Sequence, residues 1–78
     1  MSEFTTGIAR NIADNARSQV ERTWGENPKA RLGGLLYNGQ VAQHALLALT
    51  GYVGTDRLTD AEVRQLVLAL WEELKERK

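Results

Sequence analysis

Apolar residues recur with helical spacing along the whole chain, and no stretch alternates as a β-strand would. In the first segment an apolar side chain stands at every fourth position, and two alanines widen this stripe. The pattern predicts an amphipathic helix over about 3–24 that buries one face. Its apolar stripe comprises Phe4, Ile8, Ala9, Ile12, Ala13, Ala16, Val20 and Trp24.

Residues with known capping preferences mark the next helix boundaries. Ser2 or Thr5 is predicted to cap the first helix, and Gly25 is predicted to follow its last turn with a positive φ. Asn27-Pro28 predicts the start of a second helix, because asparagine is a favoured N-cap and proline suits the first helical position.

The second helix, predicted over 28–52, is apolar on nearly every side. On a wheel of 100° per residue its main apolar arc covers about 180°, and this arc is expected to face the other helices. The arc comprises Leu35, Tyr37, Val41, Leu46, Leu49, Tyr52 and Val53. Leu36 and Leu47 lie on the far side among polar residues, so they predict a contact outside the chain.

Glycines complicate this second helix. Gly33, Gly34 and Gly39 each cost about 1 kcal/mol relative to alanine in a helix interior. Either tertiary packing compensates for that cost, or the first turn near Gly33 and Gly34 is irregular.

A capping box predicts the start of a third helix, over about 59–77. Thr59 and Glu62 have the Thr-x-x-Glu spacing, and Leu58 with Val63 forms the matching hydrophobic staple. Apolar side chains then occupy one face and are expected to form its core side. They are Val63, Leu66, Val67, Leu70, Trp71 and Leu74.

Length and composition agree with one small helical domain spanning 1–78. A chain of 78 residues is near the size where a single core gives only modest stability, and oligomerisation is a common remedy. We therefore expect an all-α, compact three-helix domain that assembles as a helical homo-oligomer. The chain has no cysteine, begins without a secretory pattern and has no apolar run long enough for a membrane span, so a cytoplasmic location is expected.

Charge and the inventory of reactive residues predict no enzyme, no metal and no cofactor. Ten basic and ten acidic residues cancel without a basic patch, which makes nucleic acid an improbable partner. His44 is the single histidine, and no good metal ligand lies three or four residues away from it. The acidic cluster Glu72, Glu73 and Glu76 is expected to be a solvated face, with Glu73 paired to Arg77.

Asn38 falls in the middle of the apolar arc of the second helix. Two interpretations stand equal: a buried amide that fixes the register of a helical assembly, or an amide turned outward by a kink near Gly39. Trp24 and Trp71 are expected in the core rather than as interface anchors. The candidate interface residues are Leu36, Tyr37, Asn38, Gln40, Gln43, His44, Leu47 and Leu68.

Three functions remain open. The first is a non-enzymatic interaction or regulatory protein that self-associates and acts by binding another protein. The second is an oligomeric binder of a small anionic ligand such as a nucleotide, for which the candidate residues are Arg31, Tyr37, His44 and Arg57. The third and least favoured is a DNA-binding regulator, because the third helix opens with Asp60 and Glu62 and the connection before it is long for a helix-turn-helix.

Overall fold

Helices account for nearly all of the backbone that the structure describes. The computed structural model describes residues 3–55 and 57–75, and in these ranges the chain forms four α-helices and no strand. The helices are α1 (Glu3–Trp24), α2 (Pro28–Leu32), α3 (Gly34–Val53) and α4 (Asp60–Leu74). The all-α prediction is confirmed, but the second predicted helix is divided into α2 and α3.

The core lies along α1, which packs against both α3 and α4, whereas α3 and α4 contact each other much less. The Cα atoms span 39 × 26 × 16 Å, and the shortest dimension corresponds to about two layers of helices. Each helix therefore has one face toward the core and an opposite face toward solvent. The buried core residues are Ala9, Ile12, Ala13, Ala16, Val20, Val41, Ala45, Leu66, Ala69 and Leu70.

The apolar stripe of α1 is buried in its middle and exposed at its ends. Phe4 is 55% exposed and Trp24 40% exposed, so the expectation that Trp24 belongs to the core is wrong. A four-residue spacing drifts around an α-helix by about 40° per step, because four residues exceed one turn. Over the length of α1 this drift turns both ends of the stripe away from α3 and α4.

The ends of α1 agree only in part with the predicted caps. Thr5 lies inside α1 and is fully buried, so it is not the N-cap, and Ser2 lies outside the described residues. Gly25 has φ 83°, which confirms its predicted role, and its N–H donates to the Glu21 carbonyl at 2.8 Å.

The break between α2 and α3 occurs at Gly33. Its φ of 80° and ψ of 157° belong to a region that is essentially restricted to glycine. The Gly33 N–H donates to the Lys29 carbonyl, and the Tyr37 N–H donates to the Gly33 carbonyl, so Gly33 is hydrogen-bonded to the helix on each side of the break. At the start of α2, Asn27 occupies the N-cap position in the left-handed region, but its side chain makes no capping hydrogen bond.

The start of α4 confirms the predicted capping box. The Glu62 N–H donates to the Thr59 hydroxyl at 3.2 Å, and the Thr59 N–H donates to the Glu62 carboxylate at 3.0 Å. The helix ends at Leu74, earlier than predicted, because Lys75 has the extended ψ of 136°. Residues 76 and 77 of the predicted helix lie outside the described residues.

The core side of α4 is narrower than predicted. Leu66 and Leu70 are buried together with Ala69, while Val67 is 44% and Trp71 56% exposed. The expectation that these last two side chains are core is wrong. Since α4 meets α1 along one line and barely meets α3, only the side chains nearest that line are covered.

Leu66→Ala tests the position of the core, with Leu68→Ala as its matched control. Leu66 is fully buried and Leu68 is 59% exposed on the same helix. We expect Leu66→Ala to lower the free energy of unfolding by about 2–5 kcal/mol and Leu68→Ala to change it by less than about 0.5 kcal/mol. Urea unfolding followed by circular dichroism measures both values, and equal losses would contradict the assignment.

Adjacent glycines test the break between α2 and α3. Gly33→Ala should lower the free energy of unfolding by about 1–3 kcal/mol, because alanine is strained at that φ and ψ. Gly34→Ala should leave it unchanged or raise it by up to about 1 kcal/mol, since alanine favours the helix and the new methyl group meets only the Lys29 side chain, at 3.9 Å. Thermal unfolding of both variants measures the difference, and a stabilised Gly33→Ala would show that the helix is continuous there.

Candidate interaction surfaces

The side of α3 that faces away from the core is largely apolar and carries no charge. Leu35 is 92% exposed, and Leu36, Leu46 and Leu47 are 54%, 59% and 63% exposed. No Asp, Glu, Lys or Arg occurs anywhere in Gly34–Val53. We call this surface the outer face of α3; it comprises Leu35, Leu36, Gly39, Gln43, Leu46, Leu47, Thr50 and Val53.

The leucines of the outer face form two doublets, Leu35-Leu36 and Leu46-Leu47, which lie eleven residues apart. Eleven residues make about three helical turns, so the doublets lie on the same side of α3. Within each doublet the two side chains diverge by about 100° and mark the two edges of the face. Gly39 and Gln43 lie between the doublets.

The exposed apolar surface of α3 is wider than the sequence predicted. Leu36 and Leu47 are exposed as expected, but Leu35 and Leu46, expected in the core, are exposed too. Only Val41 and Ala45 of α3 are fully buried among its described residues. With α1 on one side only, α3 buries a narrow line of side chains and leaves the flanks of its apolar arc in solvent.

Asn38 is exposed, so the hypothesis of a buried amide is wrong. The alternative predicted an amide turned outward by a kink near Gly39. The amide does face outward, but a kink is not the cause, because α3 runs as one continuous helix through Gly39. The buried residues of α3 are Val41 and Ala45. Asn38 is only about 20° around the helix from Ala45, but it lies nearly two turns before Ala45 and lines an open cleft instead of the core.

The other sequence candidates are dispersed. Tyr37, Gln40 and His44 are half-buried along one edge of α3, whereas Gln43 is exposed on the outer face. Arg31 and Arg57 are exposed, and the Arg31 guanidinium lies beside Gly25. The structure therefore does not gather the four ligand candidates into one site.

A cleft of about 420 Å³ lies where all four helices approach one another. Three basic side chains, one from α1, one from α2 and one following α4, lie around it. Sequence reasoning missed them because they are far apart in the chain, although two of them stand close to helix ends. The cleft is lined by Arg17, Lys29, Tyr37, Asn38, Val41, Glu73, Leu74 and Lys75.

Glu73 is not part of a solvated face, contrary to expectation. Its side chain is 16% exposed, and its Oε1 lies 3.8 Å from Nε of Arg10. Its backbone carbonyl accepts a hydrogen bond of 2.6 Å from Nη2 of Arg17, which ties α1 to the end of α4. The predicted partner Arg77 and the third acid Glu76 lie outside the described residues.

A second exposed apolar surface lies on α4. Val67, Leu68 and Trp71 are neighbours on the helix at spacings of three and four residues, and they are 44%, 59% and 56% exposed. Nζ of Lys75 lies 3.7 Å from the centroid of the Trp71 ring, a cation–π contact that holds one side of the indole. We call these three side chains the Trp71 patch.

Neither a metal site nor a membrane span is apparent in the part of the chain that the structure describes. Within 3–55 and 57–75, no three His, Asp or Glu side chains are grouped to hold a metal ion. None of the helices in these ranges combines the length and hydropathy that crossing a membrane requires.

Comparison with known proteins adds no assignment. No family model matches the chain, and no match was found among the curated proteins or the solved structures. Inferences about function therefore depend on the surfaces described above.

Proposed function

We propose that this chain is a small, non-enzymatic cytoplasmic protein that self-associates through the outer face of α3 and acts by binding another protein. The outer face of α3 carries the proposal: four leucines, each more than half exposed, stand on a helix without a charged residue. Large exposed apolar patches are typical of interaction sites, because leaving them in water is unfavourable.

A second copy of the chain is the occupant that best fits this face. A two-fold axis perpendicular to α3 and level with Val41 would place Leu35 of one copy opposite Leu46 of the other. The same axis would place Leu36 opposite Leu47. Such an isologous contact requires a surface that is complementary to itself, which two equal leucine doublets provide.

The centre of the face suits close packing of two antiparallel helices. Gly39 lies near the two-fold axis and has nothing within 4 Å of the position that a Cβ would take. A glycine at this point lets the two backbones approach, while Gln43 can form hydrogen bonds across the contact. Antiparallel pairing also aligns the two helix dipoles favourably.

Electrostatics do not oppose this pairing, and the apolar gain supports it. The outer face carries no like charges that would meet across the two-fold axis, and the chain has a net charge of zero. Removing eight partly exposed leucines from water favours association, and the loss of translational and rotational freedom opposes it. We expect a concentration-dependent dimer with a Kd of about 1–100 µM.

The Trp71 patch is the surface that we assign to another protein. It lies on α4, and tryptophan is among the residues that most often dominate binding energy at interfaces. The patch is small and flanked by the charges of Arg64 and Lys75, as is typical of a polar rim around an apolar anchor.

DNA binding is less well supported. The helix α3 contains no Lys or Arg, so it offers no side-chain cation to phosphates, and six residues separate the end of α3 from the start of α4. A helix-turn-helix usually has a turn of about 3–4 residues.

Leu36→Asp plus Leu47→Asp tests self-association. We expect the double variant to stay monomeric at concentrations of about 10–200 µM, where the wild type dimerises, because two carboxylates on each copy would enter an apolar contact. Sedimentation velocity measures the mass across this range. Circular dichroism should show unchanged helicity, since both leucines are more than half exposed.

The matched control is Asn11→Asp plus Gln19→Asp, which adds the same charge at two exposed positions of α1. This variant should dimerise like the wild type. A wild type that is monomeric throughout the range would overturn the proposed self-association, and loss of helicity in the leucine variant would show that these side chains belong to the core.

Trp71→Ala tests the second surface. Immobilised wild-type protein should retain a partner from an extract of the native host, and the retained amount should fall about tenfold or more with Trp71→Ala, as for an interface anchor. Asn11→Ala, an exposed change on α1 away from the Trp71 patch, is the control that should retain it. Equal retention by all three proteins would show that the Trp71 patch is not the binding surface.

A further inference from the structure

We propose that the cleft between the four helices binds a small organic anion, such as a carboxylate or a phosphate monoester with an apolar body. This site is separate from the outer face of α3 and does not depend on self-association. Its volume of about 420 Å³ lies within the range of small-molecule sites. Its composition, an apolar floor below a basic rim, indicates the chemistry of the ligand.

The rim has an excess of positive charge. Arg17, Lys29 and Lys75 line it together with one acid, Glu73. The carboxylate of Glu73 lies beside Arg10, at 3.8 Å, and Arg10 does not line the cleft. The negative charge of Glu73 is therefore partly balanced by a residue outside the cleft. Three cations lie around the cleft, although the chain as a whole has no net charge.

All three cations already have partners, and those of Arg17 and Lys75 are ion pairs at the surface. Nη1 of Arg17 lies 3.4 Å from Asp14, and Nζ of Lys75 lies 3.4 Å from Glu72. Both pairs are exposed, and such pairs contribute only about 0–1 kcal/mol, so an anion that contacts several cations at once can compete with them. The hydrogen bond from Nη2 of Arg17 to the Glu73 carbonyl fixes the position of this guanidinium at the cleft.

The dipoles of α3 and α4 have opposite effects on the electrostatic potential in the cleft. The α3 residues that line it, Tyr37, Asn38 and Val41, begin one turn after the positive end of that helix, so the α3 dipole favours an anion there only weakly. The last turn of α4 brings the negative end of its dipole, but the Glu73 carbonyl in that turn accepts the hydrogen bond from Arg17. The side-chain cations therefore decide the sign of the potential.

The remaining lining residues provide a place for the body of the ligand. Val41 and Leu74 are apolar and covered, buried and half-buried respectively, and the half-buried Tyr37 adds an aromatic ring with a hydroxyl. Asn38, which the sequence placed among apolar neighbours, offers an amide that can donate to an anion or accept from a hydroxyl. A ring or short chain that carries one anionic group fits these contacts.

Nuclear magnetic resonance titration with phenyl phosphate and benzoate tests this site. We expect saturable shifts of the backbone amides of Tyr37, Asn38, Val41 and Leu74 with either anion, at a Kd of about 1 mM or below. Benzyl alcohol, which has a similar body without charge, should cause at least about tenfold weaker effects. Shifts with phenyl phosphate alone would still support the site and would restrict its ligand to phosphate esters.

Lys29→Gln plus Lys75→Gln removes two of the cations and should weaken phenyl phosphate binding about tenfold or more. The control Arg64→Gln removes one exposed charge outside the cleft and should bind as the wild type does. Circular dichroism confirms that each variant is folded. Absence of saturable shifts, equal shifts with benzyl alcohol, or full binding by the lysine variant would each overturn the proposed anion site.

Discussion

The structure depends on one constraint: the apolar stripe of α1 is the surface on which both other long helices pack. Ile12 and Val20 are buried in this stripe together with three small residues, Ala9, Ala13 and Ala16. Both α3 and α4 pack against α1 but have little contact with each other. A core of this kind is long and thin, since each helix offers it one line of side chains. The hydrogen bond from Arg17 to the Glu73 carbonyl adds a polar link between α1 and the end of α4.

This constraint explains why the outer face of α3 remains in water. A helix that is apolar all round is usually enclosed by neighbours, but the thickness of 16 Å leaves no third layer to cover α3. The same reason accounts for the exposure of Trp71 and Leu68 on α4. A chain of this size can enclose such faces only by contact with other molecules. The lack of further helices to cover them is the physical reason for the proposed interactions.

The break at Gly33 has a separate consequence. Because the chain changes direction there, α2 lies against both α1 and α3 instead of extending α3. Lys29 of α2 thereby lies at the same cleft as Arg17 and Lys75. A single glycine conformation, available to almost no other residue, thus brings together charges that are distant along the chain.

By itself, the sequence determined the features that depend on local chemistry. These are the all-α class, the end of α1 at Trp24 followed by Gly25, and the capping box of Thr59 and Glu62, since each depends on residues a few positions apart. The exposure of Leu36 and Leu47 was also predictable, because polar neighbours surround them.

The tertiary structure alone decided which parts of each apolar arc are covered. Leu35, Leu46, Val67 and Trp71 have the periodicity of core residues, yet they are exposed because the neighbouring helix reaches only one line on each surface. The cleft could not be predicted from the sequence either, since its lining comes from four helices and the residue after α4. A helical wheel gives the direction of a side chain around one axis, but the number and placement of neighbouring helices decide whether that direction leads to the core or to water.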